Sequence, residues 1–127
     1  MFTLEINGTN YPLSFGFSFM QKMNKKLTRK DEGTGQTEYL GLEYVIAKIK
    51  DGDIETLVDV IMTANSTEGE KINKQDLIQW IENEDTDIEK VFEEVDGFFA
   101  KANCTRRAYK NVLEMVDMMA ADESSEA

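Results

Sequence analysis

Asp85, Asp87 and Glu89 alternate along the chain in the way that opens a calcium loop, where every second side chain turns an oxygen toward the ion. The register then fails. Started at Asp85, such a loop puts Lys90 where the sharp turn demands glycine, and Asp96 where the closing carboxylate belongs; started at Asp51, it puts Thr56 at the glycine. Both clusters read as helix-start acids and solvated faces. Gly33-Thr34-Gly35 is not a phosphate loop, because no Gly-Lys-Ser/Thr follows it and no strand is expected before it. Glu93, Glu94 and Asp96 have the chemistry of a general acid and base, but no apolar or basic neighbour in sequence singles one out for a shifted pKa.

Cys104 is the one cysteine, and there is no histidine. A Cys-His or Ser-His nucleophile pair is therefore impossible within the chain, and the commonest metal ligand near neutral pH is missing. A single cysteine also excludes an internal disulfide framework and multi-cysteine metal sites. Cys104 sits just before a possible helix N-terminus, which lowers a thiol pKa, but it reads as a passive thiol. No catalytic, cofactor-binding or metal-binding residue is assigned, and Trp80 reads as core.

The elements that would position these groups are mostly helical. The start reads as a β-hairpin over residues 1–15, turning at Asn7-Gly8. That turn pairs Ile6 with Thr9, Leu4 with Tyr11 and Phe2 with Leu13, so Phe2, Leu4, Ile6, Tyr11 and Leu13 share one face. Pro12 would oppose Thr3 with its missing N–H outward, blunting the edge. A lone hairpin is marginal, so it must lie on helices. The spacing of Phe19, Met20, Met23 and Leu27 predicts a helix over 17–30. Asp31–Gln36 is a polar loop. Helices follow over 37–50, ending at Gly52; after Asp53, with Leu57, Val58, Ile61 and Met62 inward; and after Asn73, with Leu77, Ile78, Trp80 and Ile81. Thr86-Asp87-Ile88-Glu89 is a capping box before a helix carrying Val91, Phe92, Val95, Phe98 and Phe99. Thr105 opens a last helix to about Ala121, and 122–127 is an acidic flexible tail. The whole is one mainly α (α+β) domain over 1–121, a hairpin packed on five to six helices, with no internal repeat.

Two helices carry features that bear on binding. The last one has Arg106 and Arg107 in its first turn and Glu114, Asp117 and Asp122 toward its end. Each arrangement opposes the helix dipole, by roughly 0.3–1 kcal/mol at an exposed site. Its apolar residues wrap most of the circumference, more than one core contact needs. The segment therefore suits an element ordered by a partner or by self-association, with Tyr109, Val112, Met115, Val116 and Met119 as candidate contacts; burial on two sides is the alternative. The first helix carries a basic stripe, Lys22, Lys25, Lys26, Arg29 and Lys30, which reads as a solvated face or one that neutralises the protein's own or a neighbour's acids.

Residues 1–30 hold five bases and one acid, net +4, while residues 31–127 hold nine bases and 24 acids, net −15. Most of such a surface repels nucleic acid and anionic lipid. No apolar run approaches the roughly 18 residues that span a bilayer. The N-terminus lacks a signal-peptide pattern, so the expected location is cytosolic.

Several stretches resemble the tail assembly chaperones of long-tailed phages that infect Gram-positive bacteria. They are Leu4–Leu13 running into Phe15-Gly16-Phe17, then Gly52–Leu57, Glu84–Ile88 before the Phe-rich helix, and Asn103–Arg107 before the last. The resemblance implies a protein that coats the tape measure protein, keeps its long helices soluble and helps recruit tail-tube subunits of the major tail protein. It implies action in the host bacterial cytoplasm and absence from the mature virion. It also implies a longer frameshifted form in many members. The competing expectations are a structural or head-tail joining protein retained in the virion, an inhibitor or DNA mimic built on the acidic Glu82–Asp96 face, and, last, a carboxylate enzyme.

Overall fold

Asn7 and Gly8 both adopt positive φ, 53° and 81°, the pair of left-handed residues that a type I′ turn requires. The turn closes strand β1 (Phe2–Ile6) onto β2 (Thr9–Leu13) in the computed structural model, which describes residues 2–125. The register is the one the turn dictates: Phe2 faces Leu13, Leu4 faces Tyr11, and Ile6 faces Thr9. Leu4, Ile6 and Leu13 are buried, Phe2 and Tyr11 half-buried, and Thr3, Glu5 and Asn10 exposed. Pro12 lies opposite Thr3, a position where the ladder loses no hydrogen bond to it.

Helix α1 (Phe17–Asn24) is shorter than the apolar spacing predicts. Thr28–Lys30 is a strand, β3, paired antiparallel with β4 (Thr37–Tyr39), so a second hairpin replaces the end of one expected helix and the start of the next. The cause is tertiary. Gly41, the first residue of α2 (Gly41–Lys50), lies against the Met23 carbonyl at the end of α1. The Asn24 amide oxygen accepts from the Leu42 N–H at 3.2 Å. The chain must therefore leave the helix at Asn24. Asp31 then organises the loop, accepting from the Gly33 N–H at 2.8 Å, and Gly35 takes φ +73°. The expected basic stripe is divided accordingly: Arg29 and Lys30 stand on β3, and Leu27 is 39% exposed rather than core.

The remaining boundaries follow local signals. At the end of α2, Gly52 (φ +79°) donates to the Ile49 carbonyl, and the Asp53 N–H reaches Lys48; these are the two bonds of a Schellman stop. Asp53 caps α3 (Ile54–Asn65) by accepting from the Thr56 N–H; the Thr56 hydroxyl, which donates to the same carboxylate oxygen, and that N–H together hold its carboxyl below the usual range. Asn73 caps α4 (Lys74–Glu82). For α5 (Ile88–Lys101) the cap is Asp87, one residue after the Thr86 expected from the capping-box spacing; the Thr86 hydroxyl donates instead to the Trp80 carbonyl. Thr105 is fully buried, and its hydroxyl donates back to the Phe99 carbonyl. Helix α6 (Arg106–Ser125) runs past the expected end near Ala121. Of the segment expected as a flexible tail, residues 126–127 lie outside the described residues.

The core joins the two ends of the chain. Phe2, Phe15 and Phe19 from the N-terminal part meet Phe98 and Phe99 of α5, with ring centroids 5.0–6.0 Å apart. The inward face of α3 is Leu57, Val60, Ile61 and Ala64, while Val58 and Met62, expected inside, are half-buried on its flank. Trp80 is also half-buried, packed on the core edge. Asn65, 2% exposed, ties the hairpin to the helices. Its amide nitrogen donates to the Pro12 and Glu70 carbonyls at 3.0 and 2.8 Å, and its oxygen accepts from the buried Ile72 N–H at 2.8 Å. Asn65→Ala leaves those buried backbone groups unpaired. It should lower stability by about 2 kcal/mol, read as a reduced urea midpoint at unchanged slope.

Candidate partner-binding surface

The first two turns of α6 are bound to the body. Val112 is 3% exposed and Tyr109 half-buried. Tyr109 belongs to a clasp joining three helices. Its hydroxyl donates to Asp96 Oδ2 on α5 at 2.7 Å, and Lys50 Nζ on α2 donates to Asp96 Oδ1 and to the Tyr109 hydroxyl oxygen, both at 3.1 Å. The ammonium also sits 4.3 Å from the Tyr109 ring centre. Burial by itself lowers the Lys50 pKa; the bonds to Tyr109 and Asp96 outweigh it and raise the pKa above 10.5. A raised lysine pKa contributes stability that is present below the unfolded value and lost as pH climbs through the folded one, so the clasp holds across the neutral range. Asp96→Asn should cost about 1 kcal/mol and speed amide exchange in residues 106–112.

Beyond Val112 the helix leaves the body. Leu113, Glu114, Met115, Val116, Asp117, Met118 and Met119 are all exposed. Seven successive residues at 100° steps go right round the helix, so solvent reaches every face of this stretch. Its large apolar side chains are 40% (Leu113), 55% (Met115), 48% (Val116), 68% (Met118) and 65% (Met119) exposed. Among the candidates from spacing, Met115, Val116 and Met119 are thus brought together on free surface. Tyr109 and Val112 face inward, and a partner reaches Val112 only if α6 lifts off. Leu113 and Met118, outside the candidate set, are exposed beside them; both belong to the apolar residues that wrap most of the helix in sequence.

A model of the phage tail assembly chaperone protein family, TAC, matches residues 3–114. The chain belongs to this phage tail assembly chaperone family. No match was found among curated proteins or among solved structures. The matched span takes in the hairpin, all the helices of the body and the root of α6, and it ends at Glu114, where this chaperone's last helix enters solvent.

The other charged groups of the chaperone are engaged within its own fold or solvated. Lys26 pairs with Asp59, Arg29 Nη2 lies 2.6 Å from Glu38, and the Lys22 ammonium donates to Ser66 Oγ at 3.0 Å. Three of the five residues of the expected basic stripe therefore meet the chaperone's own side chains. A shallow groove between α2, α3 and α4 has a floor of Val58, Met62, Ile78 and Ile81, with Lys48 and Glu82 on its rim. Among the described residues no cluster of acids and cysteine has the arrangement of a metal site, and no helix is long and apolar enough to cross a membrane.

Proposed function

We propose that this tail assembly chaperone binds the tape measure protein, keeps it soluble and helps bring tail-tube subunits of the major tail protein to it. The observation that carries this reading is the solvent-surrounded stretch Leu113–Met119 with its five large exposed apolar side chains. Contiguous exposed apolar surface marks an interaction site. Methionine, three of the five, adapts its shape to irregular partners. A partner made of long helices with apolar faces fits such an element, because a free helix packs readily against another helix. Met115, Val116 and Met119, with Leu113 and Met118 beside them, supply the contact, and the Tyr109 clasp and Val112 hold its base. The chaperone works in the host bacterial cytoplasm and is left out of the mature virion.

Co-expression with the tape measure protein of the same genome tests the reading. The expected result is a tape measure protein that is insoluble alone and recovered as a soluble, co-purifying complex. No gain in solubility and no co-purification would overturn it. Stoichiometric retention of this chain in purified particles would favour a structural or joining role instead.

A further inference from the structure

The stretch of α6 that leaves the body also has a one-sided charge. From Asn111 to Ser125 the sequence holds four acids, Glu114, Asp117, Asp122 and Glu123, and no base. Asp122 and Glu123 fall in the last turn of the helix, where the backbone carbonyls already concentrate negative potential, and Glu114 and Asp117 add like charge along the same stretch. The combination weakens the helix when it stands alone, and nearby positive charge relieves both penalties together. Among the described residues no ion pair reaches Glu114 or Asp117, and Lys110, one turn before Glu114, stands in the weaker order for such a pair. A second copy of α6 laid parallel would bring four more acids against the same surface, and one laid antiparallel would bring Arg106, Arg107 and Lys110 to it, an arrangement that sedimentation distinguishes.

We infer that the partner segment seated on distal α6 is a helix whose apolar stripe is bordered by lysines and arginines. The inference rests on the reading of α6 as the partner-binding element. Val112, Val116 and Met119 fall on one line of the helix, at spacings of four and three. Val112 packs in the body, while Val116 and Met119 continue that line into solvent. The partner's apolar stripe takes up this line beyond the point where the body ends. Its flanking bases lie against Glu114 and Asp117, as charges bordering a two-helix seam do. The family pattern ends at Glu114, so most of this charged, methionine-bearing stretch lies outside the shared body.

The test uses the full chain and two synthetic amphipathic peptides of about three heptads, alike in their leucine seam, one bordered by lysine and one by glutamate. Fluorescence anisotropy should show the lysine peptide binding at least about tenfold more tightly than its twin. That affinity should fall at least about tenfold between ~0.05 M and ~0.5 M salt, as screening shortens the reach of the charges. In the double variant Glu114→Lys, Asp117→Lys the preference should exchange, and in Glu114→Gln, Asp117→Asn it should vanish; circular dichroism confirms that each variant is folded. Equal binding of the two peptides, or a preference unmoved by charge reversal, overturns the inference. If the tape measure protein still co-purifies under those conditions, the chaperone reading survives and this inference alone falls. A wild-type dimer in sedimentation that Met115→Asp dissociates would put a second copy on the surface and overturn it too.

Discussion

Replacing Gly41 by alanine is expected to destabilise the protein by about 3 kcal/mol or more, the upper end of what overpacking costs. A Cβ at this position would lie 2.8 Å from the Met23 carbonyl carbon and 2.9 Å from the Asn24 carbonyl oxygen, and closer still to the Met23 oxygen. All three are backbone atoms, so no side-chain rotation relieves the clash. The α2 N-terminus would have to move off the α1 C-terminus, which breaks the Asn24–Leu42 bond and shifts Leu42, Val45 and Ile46 in the core. Urea unfolding followed by circular dichroism measures the effect. Gly97 is the control: it lies inside α5, and an added Cβ would meet nothing within 4 Å. Gly97→Ala should therefore stabilise, by about 0.5–1 kcal/mol. If both variants unfold at the wild-type urea concentration, the close approach of α1 and α2 is not as described.

The double variant Met115→Asp, Met119→Asp is expected to lose the tape measure protein from the soluble complex while keeping its own fold. Both side chains are more than half exposed, so the folded monomer should change by no more than about 0.5 kcal/mol. Binding is different. Burying a methionine contributes about 1.5–3 kcal/mol, and a carboxylate in its place must shed water without a partner charge. Together the two changes should weaken association by about a thousandfold or more. Co-purification scores the loss, and a thermal melt of the isolated variant checks the fold. An unfolded variant would show that these methionines hold the body together; a folded variant that still solubilises the tape measure protein would remove distal α6 from the interface.

The legible parts of this fold are those where a local rule acts alone. Asn7-Gly8 sets both turn and register, and Gly52, Asp53 and Asn73 mark helix ends by hydrogen bonds within a few residues. The second hairpin was not legible from spacing, because Thr28-Arg29-Lys30 follows a helical stripe and carries no apolar alternation. What ends α1 is the approach of Gly41 from another helix, a tertiary contact that overrides propensity. Thr86 and Asp87 both suit a cap, and only the pull of the Trp80 carbonyl on the Thr86 hydroxyl decides between them. The candidate surface was half legible. Excess apolar area on the last helix is a property of its sequence, but where the body stops covering it depends on the length of α2 and α5. That is why Val112 proves internal while Val116 and Met119 do not.

The contact of Phe2 with Phe98, at 5.0 Å between ring centres, has a consequence for biosynthesis. The two residues are separated by about a hundred positions in the chain. At ordinary translation rates of about 5–20 residues per second, the hairpin emerges roughly 5–20 s before the aromatic helix that completes its cover. During that interval Leu4, Ile6 and Leu13 have only the earlier helices to shelter them, and the carbonyl of Ala64, which accepts from the Ser14 N–H at 2.8 Å, is the first distant anchor to arrive. High-contact-order closure of this kind makes final folding a late and comparatively slow event. A nascent chain stalled before α5 should remain sensitive to protease at its N-terminus, and one released after α5 should not.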